Sequence, residues 1–175
     1  MAQRTLKSLD TNGLMAFAAR ALSARALTIS ELRDKLKRRA AEPAQVEEVM
    51  ARLKDAGYLN DQRFAESYAG WRRDQGGFGK TRVLRDLMAR RVAPAVAKQA
   101  AEAAYQGADE VAMIEAFLAR KYRGKDLATL LKEEKHLASA YRKLRTSGFS
   151  TANSIKVLKR YAEQAEQLEE MDSDL

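Results

Sequence analysis

The feature that most restricts the fold is a pattern that returns along the chain. Leu32, Leu36 and Pro43 recur 51 residues later as Val83, Leu87 and Pro94, and 57 residues after that as Ala140, Leu144 and Thr151. Two apolar residues four apart share one face of a helix, and a proline suits the first turn of the next, where its missing N–H leaves no bond unmade. A helix, a turn and a helix start that return about every fifty residues mark tandem units, each burying its apolar face with its neighbours' help. The expected fold class is therefore all-α: three tandem three-helix, helix-turn-helix-like repeats, each a long helix, a short one and another helix, in an elongated, curved arrangement. The expected limits are an N-terminal extension over 1–12, repeats over 13–59, 60–106 and 107–162, and an acidic tail over 163–175.

Local signals agree. Leu14–Ala26 sets Leu14, Phe17, Ala18, Ala21 and Leu22 at helical spacing, with Arg20 and Arg25 off that face. Thr28 and Glu31 form a capping-box signature, in which hydroxyl and carboxylate each satisfy a backbone N–H, so a second helix starts there and runs to about Arg39. Pro43 opens a third, with Val46, Val49, Met50 and Leu53 inward. Gly57 reads as a helix stop and Asn60-Asp61 as the cap of the next helix, whose stripe is Phe64, Ala65, Tyr68 and Trp71. In the third copy Gly148-Phe149-Ser150 is the turn, Ser150 the cap, and Val157, Leu158 and Tyr161 the buried face. Two prolines and nine glycines in 175 residues, against abundant Ala, Leu, Lys, Arg, Glu and Gln, is helix composition.

Several chemistries are excluded. With no cysteine there is no disulfide, zinc-thiolate site or thiol nucleophile. Residues 1–10 lack the apolar core of a signal peptide, and the run Leu14–Ala19 stops at Arg20, which points to a cytoplasmic protein. Gly76-Gly77-Phe78-Gly79-Lys80-Thr81 ends like a phosphate-binding loop, but the required first glycine is Asp74 and the segment follows a helix rather than a strand. A flexible loop between helices is the simpler reading. Asp10-Thr11-Asn12-Gly13 resembles the start of a calcium loop, yet Ala19 stands where the bidentate glutamate belongs, so a helix cap by Thr11 or Asn12 is expected instead. His136 stands alone in a polar run and reads as a surface residue. No pair of carboxylates sits in a setting suited to acid–base work. Catalytic, metal and cofactor-binding residues are thus expected to be none.

Charge is the remaining functional signal. The net charge is +8, but the chain after Arg160 carries six acids and no base, so the rest carries +14 and should attract polyanions. The bases cluster on the second helices and nearby turns: Arg33, Lys37 and Arg38 in the first unit; Arg72, Arg73, Lys80, Arg82, Arg85, Arg90 and Arg91 in the second; Arg142 and Arg145 in the third. Enrichment at equivalent places makes a basic stripe the candidate binding surface. Phe64, Tyr68 and Trp71 beside Arg72 and Arg73 match a base-stacking platform, but their spacing is also that of a buried face, and core packing is the expectation. The tail from Glu163 reads either as a disordered end or as a screen for the basic face.

These residues resemble the RecX family. Thr28-x-x-Glu31-Leu32-x-x-Lys35-Leu36 looks like its opening motif, and the run from Leu53 through Gly57, Asn60 and Phe64 to Ala65, followed by Arg72-Arg73, the glycine-rich loop to Gly79, and Arg82 to Leu87, is similar in order and spacing. The resemblance spans about Leu14 to Arg160, strongly in the first two units and weakly in the third, where an extra stretch near 124–134 breaks the even repeat. It implies a non-enzymatic regulator that binds the RecA filament on single-stranded DNA along its groove; a monomer is the expected state. Such a regulator inhibits strand exchange, ATP hydrolysis and filament growth in DNA repair, homologous recombination and the SOS response. Single- or double-stranded DNA would be a further partner through the basic surface, and no membrane is involved. A stand-alone helical DNA-binding module acting without RecA is the alternative, because two helices and a tight turn also describe a helix-turn-helix.

Overall fold

The computed structural model describes residues 8–174, and side chains up to Leu168. The first seven residues of the expected extension, Leu175, and the side chains of Glu169, Glu170, Asp172 and Asp174 in the acidic tail lie outside the described residues.

The chain is all-α. Its helices are α1 Thr11–Ala24, α2 Ile29–Lys37 and α3 Pro43–Asp55; α4 Asp61–Asp74, α5 Lys80–Ala89 and α6 Pro94–Tyr105; and α7 Glu110–Lys121, the single turn α8 Leu127–Leu130, α9 Glu134–Thr146 and α10 Thr151–Leu158. A 3-10 helix, Glu163–Asp174, follows. The recurring positions do what their spacing demands. Leu32, Leu36, Val83, Leu87, Ala140 and Leu144 have no measurable exposure, and Pro43, Pro94 and Thr151 each open the helix after the turn.

Caps explain the helix limits. Both halves of the Thr28/Glu31 capping box form. Asn60 Oδ1 accepts from the Arg63 amide, and Ser150 Oγ from the Asn153 amide. The first cap is a correction: Asp10, rather than Thr11 or Asn12, accepts from the Gly13 amide, and α1 starts three residues before the expected Leu14. A carboxylate serves well there because it also meets the positive end of the helix.

The third triplet departs from the expected order of a long helix, a short one and another helix. Its middle helix α9 has 13 residues and its last, α10, only 8. The inserted turn brings Leu131 into the core beside Leu137 on the extended start of α9, and Ala162, Ala165 and Leu168 beyond α10 supply the surface a longer helix would have buried. The tail is therefore not a free end: through Leu168 it is helical and packed.

The chain divides into two compact units, one running to Ser67 with Leu87–Ala97 added, the other comprising Tyr68–Asp86 and everything from Lys98. The first has a core of Leu14, Ala18, Leu27, Leu32, Leu36, Val46, Val49, Met50, Leu53 and Leu59. The second is built around Ile114, Leu118, Tyr141, Leu144, Phe149 and Leu158. Large side chains with almost no exposure supply most of the stability here, at about 1.5–3 kcal/mol each.

One joint recurs with the repeat. Arg39, Arg90 and Ser147 occupy equivalent positions in the three turns, and each offers a backbone carbonyl to an earlier segment. Arg39 accepts from the Leu9 amide at 2.7 Å, Arg90 from the Thr28 hydroxyl at 3.0 Å, and Ser147 from the Gly79 amide at 2.9 Å. A helix end leaves carbonyls without intrahelical partners, and the fold satisfies the same one three times with three different donors.

Candidate functional site

The candidate basic residues divide by what already holds them. In the first compact unit, Arg90 reaches both carboxylate oxygens of Glu31 at 2.9 Å and lies 4.5 Å over the Phe64 ring. Arg91 takes a left-handed backbone (φ 60°) and pairs with Asp34 at 2.7 Å. Arg33 reaches Glu47 at 3.2 Å. Arg38 is exposed, its Nε donating to the Asp34 carbonyl, and Lys37 is exposed without an ion pair among the described residues.

In the second unit, Asp86 on α5 is a hub. Arg72 donates to it at 2.6 Å from α4, Arg82 at 2.8 Å from one turn earlier on α5, and the Tyr68 hydroxyl at 3.2 Å. Arg73 pairs with Asp74 and donates to the Ala104 carbonyl. Lys80 stands 3.9 Å from Glu102, and Arg145 donates to the Phe149 carbonyl. Arg85 and Arg142 are exposed, without ion pairs among the described residues.

Of the carboxylates at these sites, the sequence singles out only Glu31, and that as half of a capping box rather than as a partner of Arg90. Glu31, Asp86 and Glu110 are each half-buried. Burial raises their pKa, but hydrogen bonds and nearby cations outweigh it and hold all three below the ordinary carboxylate range. The opposing partners are Arg90, the Thr28 amide and Arg25 for Glu31, Arg72 and Arg82 for Asp86, and Ser150, Asn153 and Arg145 for Glu110. Except for Arg82–Asp86, a four-residue helix pair, and the Thr28–Glu31 box, the partners are distant in sequence, so spacing carried no signal.

The glycine-rich segment differs from a flexible loop. Gly79 donates to the Ser147 carbonyl and Thr81 to the Gly148 carbonyl, Arg120 reaches the Gly76 carbonyl, and the Tyr105 hydroxyl donates to the Phe78 carbonyl. Burial pushes the Tyr105 phenol up to about 12, so it is a permanent donor. The amides that would cradle a phosphate are thus taken by backbone carbonyls. A cavity of about 300 Å³ adjoins this contact, lined by Lys80, Thr81, Tyr105, Glu110, Met113 and Ser150, but Tyr105 already donates to the Phe78 carbonyl and Ser150 to Glu110. His136 sits 3.4 Å from Glu133, and the described residues hold no group of three potential metal ligands.

Trp71 overturns its expectation. The stripe Phe64, Tyr68, Trp71 fits a buried face, and Phe64 is 9% exposed, but Trp71 is 57% exposed. The buried positions of α4 are Phe64, Ala65 and Ala69, and at about 100° per residue Trp71 falls outside the face centred on the two alanines.

Fold and surface together define a class: an all-helical protein of successive three-helix modules bearing basic residues, in which no described helix is long and apolar enough to cross a membrane. Family models for the first and second three-helix domains of RecX match residues 15–53 and 60–100. The regulatory protein RecX of Trichlorobacter lovleyi is 37% identical over 111 residues, 62% of this chain and 71% of that protein. The regulatory protein RecX of Deinococcus radiodurans is 44% identical over 77 residues, and that of Bacillus subtilis 35% over 79. The matches span 44% and 45% of this chain but only 36% and 30% of those proteins. The crystal structure of RecX from Lactobacillus salivarius superposes with a TM-score of 0.65 at 22% identity, over 87% of this chain and 96% of that one, which bears on the fold alone. The chain belongs to the RecX family.

Proposed function

We propose that this protein regulates a RecA recombinase, binding the RecA filament on single-stranded DNA and mainly inhibiting its ATP hydrolysis, strand exchange and growth. The observation that carries the reading is family membership: the relatives it matches are named regulatory proteins, and one of them is matched over 71% of its length. In this reading the protein is a cytoplasmic, non-enzymatic monomer that needs no cofactor and acts by occupying surface.

The contacts belong to bases that are not already committed. Lys37, Arg38, Arg85 and Arg142 are exposed and form no ion pair among the described residues. Arg72, Arg82, Arg90 and Arg145 hold the fold, and reversing their charge would unpair a half-buried carboxylate or carbonyl. Contacts to phosphates and acidic protein surface weaken with salt.

The test is RecA ATP hydrolysis on single-stranded DNA while this protein is titrated in at low and moderate salt. Inhibition well below one protein per RecA is expected, weakened by salt. Arg85→Glu with Arg142→Glu should weaken inhibition by about tenfold while stability changes by less than roughly 0.5 kcal/mol. Arg90→Glu should instead lower the melting temperature. No inhibition, with tight DNA binding in the absence of RecA, would replace this reading with a stand-alone DNA-binding module.

A further inference from the structure

In the first compact unit, α2, α3 and the turn after α3 line a pocket of about 220 Å³. Half-buried Ile29 and the buried Met50 and Leu59 give it an aliphatic wall, while Ala51 and Lys54 on α3 are exposed. The wall is particular to this repeat. At the equivalent place in the second repeat, Lys80 and Tyr105 stand where this pocket has Ile29 and Lys54, and the Tyr105 hydroxyl is spent on the Phe78 carbonyl. Two cations also line the pocket. Lys54 forms no ion pair among the described residues, and Arg33 places one terminal nitrogen 3.2 Å from Glu47, an exposed pair that holds weakly. The Arg33 Nε is hidden from solvent and has no acceptor among the described residues. A buried N–H without an acceptor is costly, so this guanidinium gains from a carboxylate that can take two of its nitrogens together, which Glu47 does not do.

We infer that this pocket docks a protein segment that carries a large apolar side chain beside an Asp or Glu. The apolar side chain lies on Ile29, Met50 and Leu59, and the carboxylate reaches Arg33 and Lys54. The lining selects this occupant. An aliphatic wall favours an apolar side chain, whereas a nucleotide base or sugar set against it would lose hydrogen bonds to water without replacing them. A wholly apolar segment would leave Lys54 and the Arg33 Nε without an anion. The flexible thioether of Met50 lets the pocket adjust to the side chain that enters. The inference needs neither RecA nor DNA, so it stands apart from the filament reading.

The experiment titrates the isotopically labelled full-length protein with the capped peptide acetyl-Glu-Glu-Leu-Phe-Glu-Glu-amide and follows the backbone amides by NMR. Shifts should centre on Ile29, Met50, Ala51, Lys54 and Leu59. Replacing the peptide's Leu and Phe by Ala should weaken binding by about tenfold, and replacing its acids by Gln by about fivefold. Ala51→Glu, which adds a repelling carboxylate, and Ala51→Trp, which fills the pocket without charge, should each remove the shifts. Circular dichroism of both variants should match the parent, the position being exposed. Lys54→Gln should weaken binding by about threefold. The inference is overturned if the peptide shifts no amides or only others, if the Ala or Gln peptide binds as well, if neither Ala51 variant weakens binding, or if an oligothymidylate shifts the same amides more strongly. Inhibition of RecA in the ATP hydrolysis assay despite any of these outcomes would leave the filament reading intact, and peptide binding without that inhibition would remove the filament reading alone.

Discussion

The joint at Thr28 and Arg90 and the joint at Gly79 and Ser147 are the same joint built twice. Each closes the carbonyl at the equivalent turn position with a donor at the start of the preceding repeat's second helix. At the first, Thr28 is fully buried and its hydroxyl works in both directions, accepting from the Glu31 amide and donating to Arg90, while Glu31 clamps the Arg90 guanidinium. At the second, no side chain intervenes. A Cβ on Gly79 would fall 2.2 Å from the Gly148 carbonyl oxygen, and one on Gly148, at φ +90°, 2.2 Å from the Arg82 amide nitrogen. One joint is made of polar side chains, the other of backbone in direct contact. Equivalent geometry does not require equivalent chemistry.

The largest effect that would separate the two joints is steric. Gly148→Ala and Gly79→Ala should each destabilise by about 4 kcal/mol or more, because the backbone has no room to yield and Gly148 also holds a conformation costly for other residues. Urea unfolding would show this as a lowered midpoint. A change under roughly 1 kcal/mol would mean that the contact is looser than described.

A smaller loss is expected from Thr28→Ala, about 2 kcal/mol, combining a lost cap with an unsatisfied buried carbonyl. Thr28→Ser keeps the hydroxyl and should recover most of it. Equal melting temperatures for the Ser and Ala variants would show that the hydroxyl is not what closes the joint.

Acid should distinguish the joints most gently. Glu31 has a folded pKa below its ordinary value, so its contribution is fully present above roughly pH 5 and is lost as pH falls through the folded pKa. The Gly79 contact contains no titrating group, although Asp86 and Glu110 elsewhere in its unit are shifted the same way. Hydrogen exchange between pH 5 and pH 3, corrected for intrinsic rates, should expose the Thr28 amide, which donates to Glu31, before the Gly79 amide. Simultaneous loss of protection would mean that acid unfolds the joints together.

Much of the helical order was legible because it rests on local rules. The recurring apolar pairs, the Thr28/Glu31 box, the Asn60 and Ser150 caps and the helix-opening Pro43 and Pro94 each act within a few residues. The surface was less legible. Arg72, Arg82, Arg85 and Arg90 look alike in a list of bases, yet Asp86 and Glu31 take three of them and leave Arg85 exposed. Trp71 misled for a related reason: its spacing from Phe64 and Tyr68 defines one helix face, but the fold buries the neighbouring face that carries Ala65 and Ala69.

The sequence by itself determined the all-helical class, the recurring helix starts and the family, because these depend on short-range hydrogen bonding, side-chain period and residue order. Only the tertiary structure decided which cations are spent inside the fold, which aromatic residue faces water, and why Gly79 and Gly148 are glycines. Most of those outcomes depend on contacts between segments well apart in sequence, as between Arg72 and Asp86, Glu31 and Arg90, or Gly79 and Gly148, which no local pattern encodes.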